Sequence, residues 1–524
     1  MPLSDLFAGQ MSPQALWGSQ AKAAVLNSLM RARVAMSDDQ RLTWRQLRDY
    51  LDGIHAVHTL AAASVTHPQT VGEWAKGRGA ALRAFRLVEM VAERVSVAFH
   101  RPPTFYHHLG DGEPIARDDP KYGPQVEQWE VDAEDCELDT VLSGIDEGVN
   151  VLEAQIVSPA WVSDGVDGRM TWQVYDPQDV YIDPSPHAPQ DERLARSVSL
   201  GIHEQSDTIA CTSLDPDLWS TWTRSVDGNR ATYGHWFHST AGGLAGQPLF
   251  KDAINGYGMI PVVIWRARKP SRNRIFSPPD EALLSAQAGT DVSITDLFYG
   301  LRFNGHPQRV WVGGDAARLA EIATGPDSIA AIGEGETLTN ETPTLNTNIV
   351  RDAIEWSLRL EAISRSLPAD IFSPSPARNL AALQEMRLDL RVRRERTLPH
   401  YIRALRRTWE VHKAVGNYWA RAGAARVIYS PELQLGVKLA EIPKTEDRWQ
   451  AAQSNQVEIS QGLTDAVSIL ADREGVSIEE AQRRVDVHRD TTSALDTEGK
   501  IDGAVPVPAR PDGDQPRPAS VERS

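Results

Sequence analysis

The chain has 524 residues, of which 41% are hydrophobic and 24% charged, a composition typical of a globular protein with several structural units. Its formal net charge of -17 excludes a general nucleic-acid coat protein, whose surface would be basic. Cys136 and Cys211 are the only cysteines, which excludes a disulfide scaffold and a multi-cysteine zinc site and favours a reducing cytoplasm. We expect neither a signal peptide nor a membrane span.

The first part of the chain is predicted to be helical. Apolar residues recur at helical spacing in residues 20–60, and GAALRAFRLVEMVAERVSVAF forms a second helical stretch that ends at Arg101-Pro102-Pro103. The acidic stretch EQWEVDAEDCELD follows, and it is predicted to be a solvated connection that leads into a short helix.

The hydrophobic period changes at Asn150. Short strands separated by Asp-Gly turns are predicted up to about Trp265, where PVVIW is typical of a buried strand. Two helices follow, 278–303 and 348–367, and they bracket the β-leaning insert 304–346. The first helix would be about 40 Å long. Paired long helices with a small β tip indicate an elongated protomer. Neighbouring copies would have to cover its flanks, so we expect an oligomer.

The segment 367–409, LPADIFSPSPARNLAALQEMRLDLRVRRERTLPHYIRALRRTW, combines a proline-rich loop with an arginine-rich helix. The loop is either a rigid connector or a deliberately projected loop. Arg387, Arg391 and Arg394 share one helical face, and Pro399 predicts a kink. The arginines are either a solvated face paired with acids on neighbouring helices, or contacts to phosphates or to acids across subunit interfaces. The rest of the chain is predicted to contain a strand-like segment, 425–443, then helices to about Arg489 and a disordered tail.

Motifs for chemistry are missing from the sequence. GGLAGQ at 242–247 lacks the lysine of a phosphate-binding loop, and there is no HExxH, CxxC or GxSxG. We therefore predict no catalytic residue, no cofactor and no metal, and a protein that is not an enzyme. An enzyme with an unrecognised site remains an alternative.

Two acidic or histidine-containing segments leave a second reading open. His107 and His108, near Asp111 and Glu113, are either solvent-facing loop residues or metal ligands. Asp176, Asp179 and Asp183 in DPQDVYIDP could imitate a cation loop, but their proline and turn context favours turn-forming roles.

An ordered set of segments over residues 75–490 resembles the portal proteins of tailed bacteriophages and related gene-transfer particles. The set comprises VEMVAERVSVAFHRPPTF, the strand-rich part with VYDPQDVYIDP, IPVVIW before a long helix, the insert HPQRVWVGG, the loop with its long helix, and LAEIPKTEDRWQAAQSNQVEISQGLTDAVSILADREGVSIEEAQ.

The resemblance implies an α+β fold with a portal-like elongated protomer, in which each segment has a place. The expected parts are N-terminal helices and a strand-rich wing (1–277), stem helix 1 (278–303), a clip (304–346), stem helix 2 (347–367), a channel loop (368–379), a kinked long helix with a return to the wing (380–444), a helical crown (445–490) and a disordered tail (491–524).

The function that the resemblance implies is that of a ring of about twelve copies at one capsid vertex. Double-stranded DNA would pass through the ring during packaging and ejection. Expected partners are the terminase large subunit, a head–tail adaptor, and major capsid and scaffolding proteins, with no membrane. The protein would be assembled in host cytoplasm and would reside in the virion. Another virion structural subunit, such as a head–tail connector or capsid-associated protein, is the alternative.

The resemblance also assigns roles to individual residues. Arg387, Arg391 and Arg394 would contact a neighbouring subunit or phosphate, Pro399 would kink the helix, and Arg309 and Trp311 would lie in the clip. The DNA-facing channel loop would contain Ile371, Phe372, Ser373, Pro374, Ser375, Pro376 and Arg378.

Overall fold

The part of the chain that the computed structural model describes comprises residues 38–54, 58, 84–110, 112–163, 168–202, 218–227, 230–239, 253–270, 274–305, 308–312, 337–341, 347–365, 367–369, 371–372 and 380–440, with single positions between 465 and 486. The chain divides into two units, residues 1–442 and 443–524. All elements below belong to the first unit. The predicted crown, residues 445–490, lies almost entirely outside the described residues. Helices and sheets together form an α+β fold, as predicted.

The N-terminal helices bury one apolar stripe each. Their bounds are α1 Asp38–Leu51, α2 Leu87–Val95, α3 Gly123–Asp135 and α4 Leu138–Leu152. Helix α2 ends before the predicted proline pair, because the chain turns so that the backbone N–H of Ala98 donates to the carboxylate of Asp146 at 2.8 Å. A tertiary hydrogen bond thus sets this helix end.

Helix α3 corrects the prediction for the acidic stretch, which is not a solvated connection. Gln125, Trp129, Asp132 and Cys136 recur at spacings of three and four and are buried. The remaining acidic residues lie on the opposite face of the helix. The charge density of the stretch masked an amphipathic helix.

The strand-rich region forms two antiparallel sheets. A three-stranded sheet has the order β3-β2-β9 and a five-stranded sheet the order β4-β5-β6-β7-β8. Their bounds are β2 Gln155–Ser163, β3 Gly168–Tyr175, β4 Val180–Asp183, β5 Ser197–Ile202, β6 Leu218–Asp227, β7 Arg230–Ser239, β8 Ala253–Ile254 and β9 Val263–Trp265. All residues of β9 are buried, which confirms the predicted buried strand.

Two helices bracket a strand pair in the predicted order. Helix α5 is Glu281–Gly305 and α6 is Thr347–Ser364, and the two helices contact each other. Between them, β10 (Gln308–Val312) pairs antiparallel with β11 (Thr337–Glu341).

The long helix α7, Leu380–Arg421, passes Pro399 without a break. Pro399 and Glu395 are both exposed. The carbonyl oxygen that loses its helical partner to the proline therefore lies on a side that water can reach. Helix α7 packs against β2, β9 and β12 (Gln434–Lys438), and β12 pairs with β1 (Thr104–His108).

An aromatic cluster forms the core under α7. The indole of Trp409 lies 4.9 Å from the ring of Trp129 and 5.0 Å from that of Tyr429, measured between centroids. Its Nε1 donates to the backbone carbonyl of Leu433 at 3.2 Å. Trp409 therefore joins α3, α7 and the segment that leads into β12.

We predict that Trp409→Ala lowers the free energy of unfolding by about 3–5 kcal/mol, because it leaves a large cavity and removes one of the two hydrogen bonds to the carbonyl of Leu433. Urea unfolding measures the change. The half-exposed Ile428→Ala is the control and should cost less than about 1 kcal/mol. Equal effects of the two substitutions would contradict the assignment of Trp409 to the core.

Candidate functional site

The start of the predicted channel loop is part of the core. Ile371 and Phe372 are buried in the cluster that includes α1, α2 and the five-stranded sheet. Arg94 of α2 donates to the carbonyl oxygen of Ile371. The structure thus contradicts the prediction that these two side chains face a channel: they are apolar, and they anchor the segment instead. Ser373, Pro374, Ser375, Pro376 and Arg378 lie outside the described residues.

The three arginines predicted to share one face have different surroundings. Arg394 is buried, and its guanidinium donates to the carbonyl oxygens of Ala98 at 3.3 Å and Ala440 at 2.6 Å. This corrects the prediction of a subunit contact for Arg394, because the side chain is buried and its Nη2 donates to backbone of its own chain. Arg391 is half-buried, and the side chain of Arg387 lies outside the described part. For these two residues the interface role stays a prediction.

Arg309 and Trp311 both lie on β10. Arg309 is opposite Asn340 and Trp311 is opposite Leu338 in the ladder with β11. Strand β10 lies between α5 and α6 in chain order. Contact with another protein at these residues stays a prediction.

The histidine pair sits on strand β1, not on a loop. His107 is buried, with its ring 5.1 Å from that of Trp409, whereas His108 is half-buried and bonds to the carbonyl of Leu109 at 2.6 Å. Burial lowers the pKa of His107 to about 4, so it is neutral at pH 7. Among the described residues, no group of three or more His, Cys, Asp and Glu could hold a metal ion.

Asp176 forms an ion pair as well as starting a turn. Its carboxylate binds the guanidinium of Arg48, with an Nε–Oδ2 distance of 2.6 Å, and accepts from the amides of Gln155 at 2.8 Å and Gln178 at 3.0 Å. These residues line a cavity of about 620 Å³ between α1, α4 and β2. The prediction of turn roles alone missed this pair, whose partner lies far away in the sequence.

The carboxylate of Asp146 is the centre of a buried polar network. It accepts from the N–H of Ala98, from the hydroxyl of Tyr401 at 2.9 Å and from the amide of Asn150 at 3.0 Å. The guanidinium of Arg393 donates to the side-chain amide oxygen of Asn150 at 3.1 Å. The network joins α4, the segment after α2, and α7.

The same network reaches the ends of the paired helices. Arg393 donates to the carbonyl oxygen of Arg365 at 3.2 Å. The guanidinium of Arg365 pairs with Glu361 on α6 at 2.6 Å and with Asp280, whose carboxylate caps the start of α5 through the N–H of Leu283. The position of the α5–α6 pair is therefore tied to the long helix.

Burial dominates the electrostatics of this network. It raises the pKa of Asp146 to about 6, although the hydrogen bonds from Ala98, Tyr401 and Asn150 act in the opposite direction. Burial, and then the positive charge of Arg365, lowers the pKa of Arg393. Asp146 and Asn150 were not predicted as functional residues. Their signal in the sequence was a pair of polar residues four apart on the buried side of an apolar helix.

A second buried carboxylate, Asp132, joins α3 to α7. Its Oδ2 accepts from Nε2 of His412 at 2.8 Å, from Arg426 at 2.5 Å and from the hydroxyl of Tyr429 at 2.8 Å. Nδ1 of His412 accepts from the indole of Trp172, so the histidine carries its proton on Nε2. Burial lowers the pKa of His412. The group is enclosed and internally paired, which makes it a structural cluster.

Comparisons with known proteins give distant likenesses. No family model matches the sequence, and no curated protein is similar to it. A chain in "Neck of empty GTA particle computed with C6 symmetry" is similar at 10% identity and a TM-score of 0.34, with 75% of this chain and 90% of that chain covered. A chain in "Virion of native gene transfer agent (GTA) particle" has 10% identity and a TM-score of 0.31, with 75% and 89% covered. Such scores do not establish a shared fold. No helix in the described part of the chain could cross a membrane.

We predict that Arg394→Ala lowers the free energy of unfolding by about 2–3 kcal/mol, because two backbone carbonyls lose a charged donor. Arg396→Ala, two positions away and exposed, is the matched control and should change it by less than about 0.5 kcal/mol. Urea unfolding of both variants is the measurement. A neutral Arg394→Ala would mean that the intrachain bonds contribute nothing.

We predict a pH-dependent stabilisation by Asp146→Asn. Folding raises the pKa of Asp146 from its ordinary 3.8 to about 6, so the folded state retains the proton to higher pH. The protonated Asp146 therefore stabilises the wild-type protein below about pH 4, and this stabilisation is lost as the pH rises through about 6. The loss in the free energy of unfolding is about 3 kcal/mol. The substitution removes the charge and should therefore stabilise the protein at pH 7.5 relative to pH 4.

Urea unfolding of wild type and variant at both pH values gives the difference directly. Asp139→Asn, exposed on the same helix, is the control and should show no such increase between pH 4 and pH 7.5. A stabilisation by Asp146→Asn that shrinks as the pH rises would contradict the raised pKa.

Proposed function

We propose that the chain is a virion structural subunit and, more specifically, a portal protein. Copies would form a ring of about twelve at one capsid vertex, through which double-stranded DNA is packaged and ejected. The ring would dock the terminase large subunit and a head–tail adaptor and contact major capsid and scaffolding proteins. The chain would have no catalytic activity of its own. The proposal is supported by the element order and by one exposed surface, and not by the distant structural likenesses.

The element order provides a shape suited to this role. Helices α5 and α6 contact each other and carry the β10–β11 pair between them. Helix α5 has 25 residues, which corresponds to about 37 Å. Paired helices of this length can line a channel wall and present the strand pair, with Arg309 and Trp311, to proteins that dock at its end.

The observation that carries the proposal is the bare face of α6. Ile349, Trp356, Leu360 and Ile363 are 65%, 62%, 48% and 59% exposed and recur at spacings of seven, four and three, on one side of the helix. Leu358 and Ala362, on the other side, are buried. A contiguous apolar face of this kind on an isolated protomer indicates an interface. In a ring, each copy would cover the face of its neighbour.

Charge is consistent with a conduit. The chain has a net charge of -17, and an acidic wall repels DNA phosphates, whereas a basic wall would hold DNA through counterion release. Arg393 and Arg394, two of the arginines on the long helix, bond to groups of their own chain. We therefore propose that DNA slides past the ring without being gripped by α7.

Electron microscopy and mass measurement of the purified protein test the proposal. We expect rings with a central hole and a mass near twelve times 57.8 kDa. A compact monomer that persists even when scaffolding and capsid proteins are coexpressed would overturn it.

We predict that Trp356→Glu together with Leu360→Glu abolishes the rings, because two carboxylates would be buried without partners at the interface. Size-exclusion chromatography with light scattering should show a folded monomer. Leu42→Glu, an exposed leucine on α1, is the control and should leave the rings intact. Normal rings from the double variant would exclude this face as the contact.

A further inference from the structure

Helix α7 has an exposed basic face. Arg396, Arg403 and Arg406 are exposed and lie on the side opposite the buried Tyr401 and Thr408. Within the described residues, none of the three arginines forms an ion pair with a carboxylate. The whole helix holds ten basic and four acidic residues, in a chain whose net charge is -17. Positive charge is therefore concentrated on this helix, although the chain as a whole is negatively charged.

The surroundings of this face respond to its charge. The pKa of His400, on the same helix, is lowered first by burial and then by the positive charges of Arg403 and Arg266. Exposed Leu388 and Val392 continue the face toward the start of the helix. The surface thus combines cationic and apolar groups, as interface surfaces do.

The complementary surface lies on α3. No lysine or arginine occurs between Lys121 and Arg169. Glu127, Glu130 and Glu134 recur at spacings of three and four on the exposed side of α3. Arg117 contacts Glu127 and Glu130, both at 3.4 Å, so the three carboxylates exceed the positive charge beside them. The two charged rows have similar lengths, about 10 Å on α3 and about 15 Å on α7.

The two faces belong to helices that already contact each other through their opposite sides. The buried side of α3 presents Trp129 and Asp132 to Trp409 and His412 of α7. The glutamates and the three arginines lie on the solvent sides of the two helices, away from this contact. Within one protomer they are not paired with each other. Arg117 is the only cation that contacts the glutamates among the described residues, so both rows can accept a partner of opposite charge from outside.

We propose that the basic face of α7 docks on the acidic face of α3 in a second copy of the chain. Two different patches that recognise each other make a head-to-tail contact, and repetition of such a contact closes a ring when the rotation between copies divides a full turn. This inference rests on the proposed ring and adds the surfaces that orient its subunits. Exposed ion pairs are individually weak, so the charged rows set the register and direction of assembly, while apolar contacts supply most of the affinity.

Charge-reversal variants test the contact. One variant carries Arg396→Glu, Arg403→Glu and Arg406→Glu, and the other carries Glu127→Lys, Glu130→Lys and Glu134→Lys. Each variant alone places like charges at every contact, and we expect at least a tenfold loss of rings at 0.15 M salt. In a 1:1 mixture, rings in which the two variants alternate have opposite charges at every contact, so mixing should restore rings. A chain with all six substitutions should also assemble.

Mass photometry counts the rings, and thermal unfolding shows that each variant is folded. Rescue in the mixture would separate a direct contact from a loss of stability, which mixing cannot repair. Normal rings from either single variant, or failure of both rescues, would overturn the inference while the proposed function stands. Absence of rings from the wild type would overturn both. Normal rings from the arginine variant, with loss of binding to a duplex DNA probe, would assign the face to DNA and overturn the contact between copies.

Discussion

The buried carboxylate of Asp146 is the point on which the arrangement of the helices depends. It is 2% exposed, and it accepts hydrogen bonds from the backbone after α2, from a side chain of its own helix α4, and from Tyr401 on α7. A carboxylate in such a place is costly unless donors surround it. The donors come from three separate parts of the chain, so all three parts must be in place to offset this cost, and burial still raises the pKa of Asp146. The hydrogen bonds to Asp146 and the packing of the helices therefore require the same tertiary arrangement.

Arginines transmit this arrangement to the rest of the protomer. Arg393 connects the Asp146 network to the carbonyl of Arg365, and Arg365 bonds to both Glu361 and Asp280. The end of α6 and the start of α5 are thus attached to α7 by buried charge. Asp132 has a similar role at the other half of α7, where His412, Arg426 and Tyr429 surround it. A long helix with two such anchors is a rigid support for the α5–α6 pair.

The surfaces left uncovered have the opposite character from these internal networks. Inside, the carboxylates of Asp146 and Asp132 have partners within the chain. Outside, α6 shows a row of large apolar side chains, and α7 and α3 show rows of opposite charge. A protomer that pairs its buried carboxylates in this way, yet leaves an apolar helix face bare, is incomplete as a monomer. We interpret the bare faces as the means by which copies join, and the internal networks as the means by which each copy keeps its shape while joined.

The sequence by itself determined the type and order of most of the described elements. The change from helical to strand period at Asn150, the buried PVVIW strand, and the two helices around a small β insert followed from periodicity, because local burial patterns repeat along the chain. The sequence of α3 also has helical periodicity, but its many acidic residues led to the wrong prediction of a solvated connection.

Only the tertiary structure decided which polar residues are buried. Arg394 and Arg396 are alike in the sequence, yet one is buried and bonded to the backbone and the other is exposed. Ile371 and Phe372 are buried in the core, whereas the resemblance implied that they face a channel. The partners of Asp146, Asp176 and Arg394 lie tens to hundreds of residues away. The environment of a charge depends on such distant segments, and no local pattern in the sequence encodes it.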